Sequence, residues 1–400
     1  MTAPPLPVLR LKPKADARRI RHGHPWAWGD ELVLDRRSKA VPAGALAILE
    51  DGERAPIAIG VATVAGKIAF RVLDRNPDAV IDAAWLRARL SAALALRDRL
   101  LDAPFYRLVH AEGDALPGLV IDRFGATLVI QPNAIWLEER LEQIADILAD
   151  LTGATCLIKN GQSRARALEG LPEDTAILRG TAPAAPIPVV MNGATYLADV
   201  TGGQKTGIFY DQRPNHAFVA QMARRASVLD IFAHIGGFGL AALAGGAAEV
   251  LAVDASDAAL ALANQGAASM GVSDRFSTRP GDAFAVMEAL VADNRRFDIV
   301  IADPPAFAPA KPALTAGLRA YERVARLAAQ LVEPGGTLML CSCSHAADLG
   351  KFRAACLRGI GRAGRDPRLI HTGFAGPDHP QHPGLTETGY LKALAFRLLP

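Results

Sequence analysis

From about residue 222 onward, short apolar runs alternate with longer stretches of helical character. SVLDIF (227–232), EVLAVDA (249–255), FDIVIADPP (297–305) and GGTLMLCSCS (335–344) are nearly continuous in apolar residues. That pattern marks strands buried on both faces. Between and after them the sequence predicts helices over about 238–246, 256–270, 283–293, 313–332 and 345–360, and YLKALAFRLLP (390–400) reads as a closing strand. Strand–helix alternation over more than a hundred residues implies α/β architecture with a doubly wound, mostly parallel sheet.

The first 195 residues follow other rules. Residues 1–75 carry short β-type runs (ELVL, GALAILE, IAIGVATV, KIAFRVL) broken by Gly, Pro and Asp, as in a small β-barrel, with one helical period near Asp16–Arg21. Residues 84–100 form an amphipathic helix, 119–132 a hairpin through Arg123–Gly125, and 134–151 a second helix. The runs CLIKN and IPVVMNGATYLADV follow, the latter with an Asn192-Gly193 hairpin turn. Three regions are expected: a barrel over 1–75, an α+β domain over 76–195 and the doubly wound domain over 196–400.

Composition narrows the class. Half the residues are hydrophobic and 21% charged, which excludes a disordered chain. No apolar run approaches the roughly 18 residues of a membrane span, and the N-terminus lacks the apolar core of a secretory signal. Four cysteines are too few for a disulfide scaffold of 400 residues, so a reducing cytoplasm is expected. The net charge of +3 is unevenly spread: residues 1–40 hold nine Lys/Arg against four Asp/Glu. Such a basic block suits phosphate contact, or is a solvated arm, and makes Arg18, Arg19 and Arg21 candidate RNA contacts. Beside it, His24-Pro25-Trp26-Ala27-Trp28 supplies two tryptophans that suit a barrel core better than a ligand platform.

In a doubly wound sheet, ligands bind beyond the carboxyl ends of the strands. The first strand ends in Asp230-Ile231-Phe232-Ala233-His234-Ile235-Gly236-Gly237-Phe238-Gly239, where glycines permit a sharp turn and close backbone approach. Asp254 ends the second strand, 24 residues after Asp230, where an acid can accept both ribose hydroxyls. Gly281-Asp282-Ala283-Phe284 follows the third strand and places an acid and an aromatic where adenine could lie. The dinucleotide pattern G-x-G-x-x-G is absent from this turn. The order resembles class I S-adenosylmethionine-dependent methyltransferases. That resemblance implies methionine binding at Gly236 and Gly237, with Asp230 and Phe232 in the same turn, ribose binding at Asp254, and adenine binding at Asp282 and Ala283.

The fourth strand delivers Asp303-Pro304-Pro305-Ala306-Phe307 and, four residues on, Lys311; the fifth delivers Cys341-Ser342-Cys343-Ser344-His345. Carbon-5 of a pyrimidine is a poor nucleophile until a thiolate adds to carbon-6. Cys343, nearer the carboxyl end than Cys341, is the expected nucleophile, activated beside a helix start at about His345 and by the nearby sulfonium cation of the donor. Two small buried core residues are the plainer reading of the pair. A Cys-x-Cys metal site lacks partners at ligand spacing, and His371, His379 and His382 sit in a Pro/Gly-rich loop.

Further motifs extend the resemblance to the whole chain. Gly203-Gln204-Lys205-Thr206-Gly207-Ile208-Phe209-Tyr210-Asp211-Gln212-Arg213 is similar to a signature of bacterial 23S ribosomal RNA cytosine-C5 methyltransferases, which carry an N-terminal PUA domain. Residues 106–122 (YRLVHAEGDALPGLVID), His24-Pro25-Trp26 and Gly389-Tyr390-Leu391-Lys392 fit as well. The resemblance implies a PUA-type barrel, S-adenosylmethionine as cofactor and 23S ribosomal RNA as partner, with no membrane contact, and it is compatible with a homodimer. It draws Lys205, Thr206, Gln212 and Asp303 into the donor site, gives Asp303 a catalytic place beside Cys343, and makes Lys311 an RNA contact. Ile235 and His234 stand where the family commonly has Thr and Tyr. The alternatives are a guanine-N7 methyltransferase module, which lacks the S-C-S cysteine, and a non-catalytic RNA-binding assembly factor.

Overall fold

The computed structural model describes residues 5–202 and 207–400. They divide into two compact units: residues 5–182 with 378–388, and residues 183–202 and 207–377 with 389–400.

The first unit holds two five-stranded sheets. In the N-terminal sheet the order is Val8–Arg10, Leu46–Glu50, Pro56–Ala62, Ile68–Asp74, Trp26–Trp28; the first pair is parallel and the others antiparallel. Leu9, Ile20, Leu49 and Phe70 fill its core. Trp26 and Trp28 are only half-buried, with ring centroids 5.5 Å apart, and the Trp26 indole N–H donates to Glu112 at 2.9 Å. The second sheet orders Thr175–Arg179, Cys156–Asn160, Thr127–Pro132, Leu119–Phe124 and Phe105–His110. Helix Ala83–Leu100 packs on it, and Ile59, Val61 and Leu73 of the N-terminal sheet join Leu86, Leu119 and Trp136 in one core. The expected helix at 134–151 is interrupted after Glu138 and resumes at Leu141.

The second unit is built on a seven-stranded sheet. Its strands are β1 (Ser227–Ile231), β2 (Glu249–Asp254), β3 (Phe276–Pro280), β4 (Phe297–Ala302), β5 (Val332–Ser342), β6 (Pro367–Gly373) and β7 (Lys392–Leu398). They lie in the order β3-β2-β1-β4-β5-β7-β6, with β1 to β5 parallel and β7 antiparallel to both neighbours. Helices α1 (Gly237–Ala244), α2 (Asp257–Ser269), α3 (Ala283–Ala292), α4 (Leu314–Gln330) and α5 (Leu349–Arg362) follow the first five strands in turn. Strand residues such as Ile231, Val300 and Leu340 share a core with Val324, Phe352 and Ile360 of the helices, all almost fully buried. The sheet reverses its strand order at β1, so a crevice opens beyond the carboxyl ends of β1 and β4.

Two expectations are corrected. The hairpin Ile187–Met191 with Ala194–Ala198, placed largely in the central domain by sequence, belongs to the second unit. It packs on α1 and α2, and its turn holds Asn192 and Gly193 in left-handed conformations. Helix α5 starts at Leu349, four residues later than predicted, because Asp348 caps it by accepting the Lys351 backbone N–H at 2.8 Å. No helix among the described residues is long and apolar enough to cross a membrane.

Candidate active site

The turn after β1 is conformationally strained. Phe232, His234 and Gly236 all have positive φ, at 64°, 50° and 81°. Only glycine adopts this region without cost, and strain in two non-glycine residues so close together is typical of ligand sites. Asp230 lies buried under the turn: its Oδ2 accepts the Gly239 N–H at 2.8 Å, while Oδ1 has no hydrogen-bond partner. Burial, aided by the charges of Asp303 and Asp254, pushes its pKa up to about 7 against the pull of the Gly239 bond. Gly237 must stay glycine, since a Cβ there would stand 2.9 Å from the His216 ring.

Asp254 is half-buried at the end of β2. Its Oδ2 accepts the His234 N–H and its Oδ1 the Ser256 N–H, both at 2.9 Å. Each carboxylate oxygen keeps a second lone pair, so the acid is oriented by backbone and still able to accept from a diol. Asp282 is exposed and caps α3 by accepting the Ala285 N–H at 2.9 Å, beside buried Ala283. The rings of Phe232, Phe284 and Phe307 gather with centroids 6.3 to 6.5 Å apart, and Arg323 lies over Phe284 at 4.5 Å. An oriented acid, an orphaned buried acceptor and an aromatic wall fit a nucleoside-bearing donor.

Beyond β4 and β5 the construction changes to side chains. Asp303 donates its N–H to Ile231 O at 3.2 Å, and its Oδ2 accepts from Gln212 Nε2 at 2.9 Å. Gln212 is buried and its Oε1 accepts from Asn215 Nδ2 at 2.6 Å. Cys341 is fully buried on β5, where burial and the Asp303 charge drive its thiol well above the ordinary range. Cys343 is the first residue past β5 and half-buried. The serines on either side of it are fully buried and turned inward. Ser342 Oγ donates to Tyr321 Oη at 2.9 Å, that phenol bonds Ser344 Oγ at 2.7 Å, and Ser344 Oγ accepts the Ala308 N–H at 2.9 Å. Alternation along extended chain then turns Cys343 away from this network. The loops after β4 and β5 are thereby tied together.

The structure thus brings Asp230, Phe232, Gly236, Gly237, Asp254, Asp282, Ala283, Asp303, Gln212 and Cys343 to one edge of the sheet. Lys205 and Thr206 lie outside the described residues. Lys311 is exposed on a short turn after β4. In the first unit Arg18 is exposed, but Arg19 is held by both carboxylate oxygens of Glu31 at 2.8 and 2.7 Å and Arg21 pairs with Asp51, so two of the three arginines are partly neutralised. His371 lies on β6 rather than in a loop and stacks on Phe218 at 3.9 Å, and buried His379 bonds Asp378 at 3.0 Å. Sequence reasoning missed Tyr321 and Asn215, which carry no local signal, and the role of Lys392. That lysine heads an apolar strand, is buried, and donates from Nζ to Ser344 O at 2.7 Å.

Comparison with known proteins places this geometry. Residues 107–397 match the family described as S-adenosylmethionine-dependent methyltransferase, and residues 9–75 match the PUA-like domain. The chain is 32% identical over 394 residues to a ribosomal RNA large subunit methyltransferase I from Shewanella amazonensis, covering 98% of this chain and 99% of that one. It is 34% identical over 405 residues to a ribosomal RNA large subunit methyltransferase from Deinococcus radiodurans, covering 98% of each. The solved structure of SMU.776 complexed with SAH superposes with a TM-score of 0.82 at 17% identity, covering 98% of this chain and 100% of that one, which establishes likeness of fold.

Proposed function

Because the chain belongs to the S-adenosylmethionine-dependent methyltransferase family, matched over residues 107–397, we propose that it methylates carbon-5 of a cytosine in 23S ribosomal RNA, with Cys343 as nucleophile. Its full-length relatives named as large-subunit ribosomal RNA methyltransferases support the RNA class. S-adenosylmethionine, when bound, supplies an electrophilic methyl group on a sulfonium. In this reading Asp254 accepts the ribose hydroxyls, Ala283 and the Phe232–Phe284 wall flank the adenine, and the Gly236–Gly237 turn and Asp230 face the methionine end. Gln212 completes the pocket by fixing Asp303.

The Cys343 thiolate adds to carbon-6, and the electrons of the carbon-5–carbon-6 double bond make carbon-5 nucleophilic toward the methyl group. After transfer, a base takes the carbon-5 proton, the double bond re-forms and the thiolate leaves. Exposed Arg18 and Lys311, with Arg19 and Arg21 behind their acidic partners, are the proposed phosphate contacts.

One observation carries the reading: a half-buried cysteine at the strand end, between two serines pinned inward by Tyr321. A structural pair of cysteines would leave both buried, as Cys341 is. The test is to incubate the purified chain with 23S RNA and labelled donor and map the product base. One 5-methylcytosine is expected. Label on guanine N7 would overturn the proposal.

A further inference from the structure

Three sequence stretches that have no role in the proposed methyl transfer converge in the first unit: His24-Pro25-Trp26, the segment 106–122, and the Pro/Gly-rich loop that carries His382. They meet at a cleft of about 750 Å³. His24 and Pro25 line it from beside the strand Trp26–Trp28, Glu112 and Ala115 from the turn after the strand Phe105–His110, and His382 and Gly384 from the loop. Its volume lies in the range of ligand pockets, roughly 300–1,000 Å³.

The walls are held under backbone strain. Ala111 and Ala115 have positive φ, at 45° and 54°, a region that is costly for a residue with a Cβ. Gly113 between them lies against the Pro380 carbonyl, where a Cβ would stand 2.1 Å from the oxygen. At Gly384 a Cβ would stand 3.4 Å from the His24 ring and 3.3 Å from the His382 ring. Strain of this kind persists where the surroundings over-determine it, and it gathers at binding sites.

The lining is cationic and flat. Arg19, Arg75 and Arg89 share the cleft with two acids, Asp74 and Glu112. Both acids are engaged: Asp74 accepts from the Asn76 N–H, the Trp85 indole and Arg89 at 3.0 to 3.1 Å, and Glu112 accepts from the Trp26 indole at 2.9 Å. Arg75 is exposed, donates to the Arg21 carbonyl at 3.3 Å, and has no carboxylate partner among the described residues. Hydrogen bonds also fix the imidazoles. Arg19 Nη1, always a donor, gives to His24 Nε2 at 3.3 Å, so His24 carries its proton on Nδ1 and donates to Trp26 O at 3.0 Å. With both nitrogens used, His24 offers the cleft a ring face. His382 Nδ1 accepts the Gly384 N–H at 3.0 Å, which leaves its proton on Nε2 as a donor.

We propose that this cleft takes one unpaired nucleotide of the ribosomal RNA substrate, with its phosphate at Arg75 and its base against the rings of His24 and His382. The phosphate meets a guanidinium that no acid neutralises, and the base meets a ring face and an N–H donor. Bases splayed out of an RNA strand are read by stacking and edge hydrogen bonds of this kind.

The inference rests on ribosomal RNA as substrate and is independent of which base or atom is methylated. In the full chain, Arg75→Gln should raise the Kd for 23S RNA about tenfold, for one charge-assisted hydrogen bond. It should also flatten the slope of log Kd against log salt by about 0.7 to 1, for one phosphate contact. His382→Leu should weaken binding about fivefold or more with the slope unchanged, because a base contact releases no counterion. Both variants should keep their S-adenosylmethionine affinity and raise KM for RNA with kcat unchanged. Ultraviolet cross-linking of wild type to 23S RNA, mapped by mass spectrometry, should attach nucleotides within 22–25 or 382–384, and it serves if His382→Leu fails to fold. Equal RNA affinity in both folded variants, or cross-links confined to the second unit, overturns the pocket and leaves the RNA substrate in place. Micromolar binding of AMP, CMP, GMP or UMP, with RNA affinity unmoved by either substitution, assigns the cleft to a free nucleotide and overturns it too. A wild-type chain that binds no 23S RNA removes the substrate reading and the pocket with it.

Discussion

At the carboxyl ends of β1, β2 and β3 the site is made of backbone. Glycines and left-handed residues set the turn, and Asp254 is aimed by two main-chain N–H groups. At the ends of β4 and β5 it is made of side chains: Gln212 on Asp303, Tyr321 between two serines, Lys392 on the Ser344 carbonyl. The difference fits the two tasks proposed for the site. Binding a donor of fixed shape needs close approach and a few oriented acceptors, which backbone supplies at no side-chain entropy. Activating one sulfur atom needs a tuned field, and tuning is done by buried polar side chains from several elements.

If the halves are separate in this way, each can be damaged alone. Asp254→Ala should weaken S-adenosylmethionine binding by at least about tenfold, since charge-assisted hydrogen bonds contribute roughly 1.5–3 kcal/mol each. The same variant should leave the pH midpoint of Cys343 alkylation in place. Calorimetry for the donor and mass spectrometry for the thiol check the two statements together, and a shift in both would merge the halves.

Tyr321→Phe should do the reverse, with a smaller effect. It removes the shared partner of Ser342 and Ser344 deep in the fold, costing about 1–3 kcal/mol of stability. Methyl transfer under saturating donor should slow by about threefold to tenfold, for one lost hydrogen bond of roughly 0.5–1.5 kcal/mol. Donor affinity should stay within about twofold of wild type. Denaturant unfolding and single-turnover kinetics measure the two effects.

The contrast also explains what was legible. Gly236-Gly237, Asp254 and Asp282-Ala283 could be placed because backbone-built sites leave a local signature: a strand, a glycine or an acid, then a helix. The sheet itself was readable from its apolar runs. Cys343 stood out as a candidate because its chemistry is scarce; of the two sources of activation expected for it, the helix end lies farther off than the spacing suggested, held at Leu349 by Asp348. Tyr321 and Lys392 come from α4 and β7, 22 residues before and 49 residues after Cys343, and no spacing rule links them to it. Charge counting found the basic arm, yet it could not reveal that Glu31 and Asp51 take up Arg19 and Arg21.

The central claim is that one of two cysteines, two residues apart, forms the bond to the base. RNA carrying 5-fluorocytosine at the target tests it directly, because a fluorine at carbon-5 cannot be removed as a proton and the adduct is trapped. With donor present, wild type and Cys341→Ala should each give a covalent protein–RNA complex that survives denaturing gel electrophoresis, and Cys343→Ala should give none. Trapping by Cys343→Ala together with its loss in Cys341→Ala would contradict the account.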